Sequence, residues 1–277
     1  MCRCRRLVVT LVWLLMRAAD LAYRRATLEV VVSQAQEDLG GLWRSLLSDP
    51  VERAAAGMRE AVPAVAEVYG AAAAENAAIW YEDVRPAGAP RFEARVYRPV
   101  SLAEAEGLAT WAVSPAFAGD TAGAWTRLAG TVQRLVADHD RVTVEENATK
   151  DPAAWGWRRR ASADACAYCA YMAVVLDQPD YETAARKYHD NCRCVPVMAF
   201  HGQQVPEQPN EREWLAVFDK ARDVIDAERK KLPGWNTLKR HERSKKYPEY
   251  QLTTKNILAR ARRLEPDLFR DGVRDVT

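Results

Sequence analysis

The chain has 277 residues, enough for one large domain or two smaller ones with a full core. Its 48% hydrophobic and 28% charged content is that of an ordinary globular protein, which excludes a disordered chain or a bundle of membrane spans. The net charge is +2, so the whole is no polycation, yet Arg229 to Arg263 hold twelve Lys/Arg against two Glu, a local +10 that leaves −8 elsewhere.

The N-terminus reads MCRCRRLVVTLVWLLMRAAD. A basic start and an apolar run from Leu7 to Met16 resemble a secretory signal. Arg17 follows that run at once, no A-x-A site closes it, and ten apolar residues do not span a bilayer. The expectation is the start of a helix and no membrane. Met16 also offers an internal start, with the first fifteen residues as extra coding sequence.

Steps of four and three from Leu7 pick out Leu11, Leu14, Ala18, Leu21, Arg25, Leu28, Val32, Ala35, Leu39, Leu42 and Leu46. Arg25 alone breaks this heptad-like stripe, which predicts one helix of about 60 Å. The stripe fits either packing inside the chain's own bundle or a homo-oligomer formed through the N-terminal helix. Gly40-Gly41 are the expected bend near its end. Asp49-Pro50 ends the element, and an Ala-rich helix follows over 51–81, with Pro63 expected to kink or split it. In the connector, Phe92, Ala94 and Val96 alternate with charged residues and permit one short strand. Ser101 with Glu104 is a capping-box signature for a third helix. A fourth is predicted from Ala122 to about Asp138, with room to reach Asn147.

Character changes near Asp151-Pro152. WGWRRRAS reads as a strand, Asp164 as the N-cap of a short helix CAYCAYMAVVL, and CVPVMAF as a second strand. Residues 202–210 read as a polar linker, followed by helices at 211–231 and 254–264 with a basic joint between them. The expected fold is mainly α. A helical domain (1–150) serves for partner docking, a small α+β unit pinned by Cys and His covers 151–205, and a basic helical extension covers 206–277.

Four of the six cysteines lie between 166 and 194. Cys166-x2-Cys169 curls two sulfurs toward one point, and a helix start there favours thiolate. His189, Cys192 and Cys194 add three ligands, one more than tetrahedral zinc needs. The expected set is Cys166, Cys169, His189 and Cys192, with Cys194 as substitute or in an outer shell. A disulfide such as Cys166–Cys192, and a thiol catalyst with His189 as base, stay open beside structural zinc. A zinc deaminase is excluded, because the half-sites are reversed and no Glu stands two residues after His189. A thioredoxin-like reading lacks its βαβ context. Cys2 and Cys4 are read as incidental.

DACAYCAYM…YHDNCRCVPV, preceded by the tryptophan-bearing strand, resembles the C-terminal signature of MuF-like phage head-morphogenesis proteins of the actinobacteriophage type. LAYRRATLEVVVSQAQEDLGGLW is similar to their helical half. The match is specific over 155–198, looser over 17–150 and absent over the tail. Cys166, Cys169, His189, Asn191, Cys192 and Cys194 fall on signature positions. The resemblance implies a minor capsid protein of the virion. It would bind the portal, major capsid or scaffold protein at the capsid interior or portal vertex, pass through the host cytoplasm during assembly, and touch packaged double-stranded DNA. Some relatives carry a protease or toxin. This chain has no G-x-S-x-G and only four histidines, so no enzyme is expected. The alternatives kept are a Cys/His-dependent nuclease or protease effector and a zinc-pinned non-specific DNA-binding module.

In the tail, Lys230, Lys231, Lys239, Arg240, Arg243, Lys245, Lys246, Lys255, Arg260, Arg262 and Arg263 are the expected phosphate contacts, against the plain reading of a solvated charged face. Trp235, Tyr247 and Tyr250 are interleaved for base stacking or local packing.

Overall fold

A computed structural model describes residues 3–175, 188–205, 208 and 210–270, with side chains from residue 20 onward. The protein is mainly α. Four helices come first: α1 (Arg3–Leu46), α2 (Val51–Asp83), α3 (Leu102–Val113) and α4 (Thr121–Lys150). Strand β1 (Ala154–Arg160), helix α5 (Ala167–Val174) and strand β2 (Val195–Phe200) follow. The chain then forms α6 (Glu211–Arg229), α7 (Arg240–Lys246) and α8 (Thr254–Leu264).

The first four helices form a bundle around Val32, Ala35, Leu39, Met58, Val62, Leu128 and Leu135. The apolar run 7–16 is the first part of α1, and no described helix is long and apolar enough to cross a membrane. Val32, Ala35 and Leu39 of the stripe are buried inside this chain's own bundle, and Leu21 is buried against Val195 and Val197 of β2. The pattern then drifts: Leu42 is 39% exposed and Trp43 turns inward at 4%. A straight helix of 3.6 residues per turn slips about 20° per heptad, so a strict heptad reading loses the core face. The side chains of Leu7, Leu11, Leu14, Ala18 and Cys4, and the whole of Cys2, lie outside what is described.

Two local expectations are corrected, and the kink-or-split expectation at Pro63 loses its second half. Pro63 does not split the second helix; it is buried in one element that runs from Val51 to Asp83. An interior proline costs about 3 kcal/mol, and the buried Met58, Val62, Ala66 and Ala73 on either side of it outweigh that. The 92–96 stretch forms no strand. Instead, Asn147 clamps Arg95 from both sides (N–H to Oδ1 at 2.8 Å, Nδ2 to O at 2.7 Å), and Tyr97 N donates to Thr143 Oγ1 at 3.1 Å. Helix side chains thus satisfy backbone groups that a strand partner would have taken. The supposed linker is tied down at Gln208, buried and paired both ways with the Ala161 backbone at 2.7 and 3.0 Å.

Other signals are met directly. Ser101 Oγ accepts from Glu104 N at 3.2 Å and Asp120 Oδ1 from Gly123 N at 2.7 Å, capping α3 and α4. Gly70 lets α2 approach α4, since a Cβ there would sit 2.6 Å from His139 Nδ1. The antiparallel β1–β2 ribbon lays Trp157, Met198 and Phe200 on Tyr81, Val144 and Ala148. Helices α5, α6 and α8 share a second core, where Tyr171, Trp214, Phe218, Ile225 and Leu258 meet the cysteines. The tail and the Cys/His unit are therefore packed together.

The stripe's one break marks where the bundle grips this unit. Arg25 Nη2 donates to Ala161 O at 2.8 Å. Beside it, Arg24 donates to Asp140 Oδ2 at 2.6 Å and to Pro196 O, and lies 4.4 Å over the Trp80 ring. Both partners of the ion pair are sealed, at 3% and 4% exposure. Arg24→Met strands a buried carboxylate and is expected to lower the unfolding free energy by about 3–5 kcal/mol. Arg24→Met/Asp140→Leu should recover most of that loss in urea unfolding followed by circular dichroism.

Candidate metal centre

Cys166 starts the site by capping α5, its Sγ accepting from Cys169 N at 3.4 Å. Asp164, the expected cap, sits outside the helix, 4.0 Å from Arg270. The cap geometry turns both Cys-x2-Cys sulfurs toward the loop before β2. There Asn191 adopts φ +63°, a left-handed conformation that asparagine tolerates, and Cys192 N donates to His189 O at 3.0 Å. This turn brings His189 and Cys192 back onto the helix start. Gly130 of α4 makes room for it, since a Cβ would lie 3.1 Å from both Asp190 Cβ and Asn191 Nδ2.

The donor atoms form two triads: Cys166, Cys169 and His189, and Cys169, Cys192 and Cys194. His189 Nε2 is 3.2 Å from Cys166 Sγ and 3.1 Å from Cys169 Sγ, and Cys169 Sγ is 3.4 Å from Cys192 Sγ. His189 Nδ1 contacts its own neighbour's carbonyl, Asp190 O, at 2.6 Å, which leaves Nε2 for the sulfurs. All four sulfurs are free, and Cys192 faces Cys169 rather than Cys166, so the Cys166–Cys192 disulfide is not formed. Cys169 belongs to both triads. Cys194, expected as a substitute, is a full member of the second.

Three side chains that spacing did not flag hold this cluster. Arg141 is fully buried and donates to Cys192 O at 2.6 Å and Cys194 O at 3.1 Å. Gln133 Nε2 adds a bond to Cys192 O at 2.7 Å. Arg159, 1% exposed, points Nη2 at Cys192 Sγ (3.3 Å) and Cys169 Sγ (3.6 Å). Its Nε and Nη1 have no partner among the described residues. A long polar side chain on a helix, as Gln133 and Arg141 are, or in a run of arginines on a strand, as Arg159 is, reads as solvent-facing, so no sequence signal separated these from surface residues.

The electrostatics favour thiolate at Cys166 and Cys192 and oppose it at Cys169 and Cys194. A hydrogen bond from Cys169 holds the Cys166 thiol down at about 5 against its burial, with His189 assisting. The bond to Cys166 pushes His189 up to about 9, against burial. Burial works against a Cys192 thiolate, but bonds from Cys169 and Cys194 and the charges of Arg141 and Arg159 outweigh it and hold its thiol well below the usual range. Burial raises Cys194 to about 11, and the bond to Cys166 raises Cys169. A guanidinium sealed against sulfur costs several kcal/mol unless the sulfur is anionic.

A family model described as VG15 protein matches residues 16–221. The chain belongs to the VG15 protein family, a phage-associated viral family. No curated protein and no solved structure matches it. In this VG15 protein the family match takes in both the helical bundle and every member of the Cys/His cluster.

The donor set suits zinc. Soft thiolates and one imidazole are its ligands, and a zinc–thiolate tetrahedron has S–S edges of about 3.8 Å, against 3.4 Å between Cys169 Sγ and Cys192 Sγ. Cys169 with neighbours from either triad would hold the ion, and the anionic zinc–thiolate group would answer Arg159. The ion would supply a cross-link between α5 and the loop that enters β2.

The second set of predicted residues, in the tail, differs in exposure. Lys230, Lys231, Lys239, Arg240, Lys245, Lys246, Lys255 and Arg263 are exposed, and Arg243 and Arg262 are half-buried. Arg260 is committed to Glu228 in a two-pronged ion pair, one bond at 3.0 Å. Trp235 is 6% exposed and packs against Tyr247, so it is not free to stack on bases.

Purified protein is expected to carry about one zinc per chain by elemental analysis. Cys169→Ser, which strikes both triads, should abolish it, and Cys194→Ser should weaken it less. A separate signature comes from Glu145, which accepts from Tyr188 OH at 2.9 Å and which burial pushes up to about 8. The folded state then holds a proton that the unfolded chain releases near 4.5, so this stabilisation is full below that value and is lost as pH rises to about 8. Melting of Glu145→Gln against wild type over that range should move steadily in the variant's favour.

Proposed function

We propose that this phage protein is a non-enzymatic minor capsid protein acting in head morphogenesis of a tailed phage or prophage. The helical body docks on the portal or inner capsid, and the Cys/His centre acts as a structural zinc cross-link. The family match over residues 16–221 carries the reading, because it spans the docking body and the pinned unit as one stretch. The burial of Cys169, Cys192 and Cys194 supports a structural centre, since a catalytic thiol needs access to substrate. Val32, Ala35 and Leu39 of the stripe pack within the chain's own bundle, which favours internal packing over an oligomer along that part of α1. Docking instead falls to exposed apolar residues of α1 and α2, where Tyr23 is 71% and Ile79 61% exposed. The chain would then sit at the capsid interior or portal vertex, reaching it from the host cytoplasm.

One observation favours a second reading. Cys166 is half-buried, held down at about 5 and 3.2 Å from His189 Nε2, the arrangement of a thiol nucleophile and its base. Cys166→Ser separates the two: a structural site loses zinc and thermal stability, while a catalyst keeps its fold and loses nuclease, protease or thiol-transfer activity. For the leading reading, affinity capture with the portal protein of the same genome and mass spectrometry of purified virions are expected to recover the chain. Its absence from both procapsids and virions overturns the assignment.

A further inference from the structure

We propose that the basic joint between α6 and α8 forms a phosphate pocket that takes the phosphodiester backbone of double-stranded DNA. A cavity of about 570 Å³ opens there, within the range of built ligand sites. Arg229, Arg240 and Arg243 line it, and no carboxylate-bearing side chain does. Asp226 partly neutralises Arg229. Arg243 uses Nε on Leu238 O at 2.8 Å, which fixes the guanidinium and leaves its outer nitrogens without an acceptor among the described residues. Arg240 is exposed and has no partner among the described residues.

The buried Trp235 ring stiffens this wall, with the guanidiniums of Arg229 and Arg243 5.6 and 5.4 Å from its centre. Forked guanidiniums held in place match phosphate oxygens better than mobile lysines do. Ser244 and Thr253 supply hydroxyls at the same cavity. With Trp235 sealed, the pocket offers charge and hydrogen bonds without a stacking surface, so it reads backbone rather than base. Exposed Lys239, Lys245 and Lys246 continue the positive surface beyond the cavity, which fits a polyanion that runs on rather than one small anion.

The inference rests on the phage-head reading only for where DNA is met, and virion content is measured separately. Fluorescence anisotropy of a short labelled duplex with the full chain, across a potassium chloride series, tests it. Arg240→Ala is expected to weaken binding severalfold and to make the slope of log affinity against log salt shallower by about 0.9. Ser244→Glu, an exposed change that puts a carboxylate into the cavity, should weaken it further. Arg53→Ala, the same charge change on an exposed site of α2, should leave binding unaltered. Equal losses in Arg240→Ala and Arg53→Ala overturn the pocket in favour of diffuse charge. Binding of inorganic phosphate at constant ionic strength with no duplex binding overturns the DNA source. A chain found in virions that binds no duplex overturns this inference and leaves the head assignment standing.

Discussion

Arg141 and Arg159 both lie over the Tyr188 ring, 4.0 and 4.4 Å from its centre, and neither reaches solvent. Two cations sealed this close need negative partners, and carboxylates supply little. Asp138 pairs with Arg141 from the edge, at 2.8 Å, and burial keeps Glu145 protonated near neutrality. Arg141 turns to the carbonyls of Cys192 and Cys194, and Arg159 turns to the sulfurs themselves. The cysteine cluster therefore supplies counter-charge, and with an ion bound it would be a cross-link as well. That demand is met best when the sulfurs are thiolates gathered around a cation such as zinc, whose complex with three or four of them stays anionic.

The same contacts explain why body and unit are one object. Arg141 and Gln133 project from α4, a bundle helix, to hold the loop that carries the ligands. Arg24 and Arg25 of α1 reach the same region from the other side, on Asp140, Pro196 and Ala161. The tail closes it from beyond: Phe218, Ile225 and Leu258 complete the apolar wall behind Cys169, Cys192 and Cys194. A partner docked on the bundle would thus meet a platform whose far end is stiffened by the centre. The basic joint hangs from the same core, so a phosphate held there has a fixed place relative to the bundle.

The sequence by itself determined most of the elements and the identity of the candidate donors. Periodicity marked α1, Ser101 and Glu104 marked α3, and Cys166-x2-Cys169 with His189-x2-Cys192-x-Cys194 named every donor that the fold gathers. These are local properties, set by spacing of a few residues. Tertiary packing alone decided the rest. Pro63 could stay inside α2 because the buried face around it outweighed a lost hydrogen bond, and the 92–97 segment needed no strand partner because Thr143 and Asn147 lay alongside. Arg141, Arg159 and Gln133 had no signature, since a residue's burial depends on what is brought over it from far along the chain. The grouping of five donors into two triads sharing Cys169 had none either. That choice was made by the left-handed turn at Asn191 and the space left at Gly130, sixty-one positions apart in the chain and adjacent in the fold.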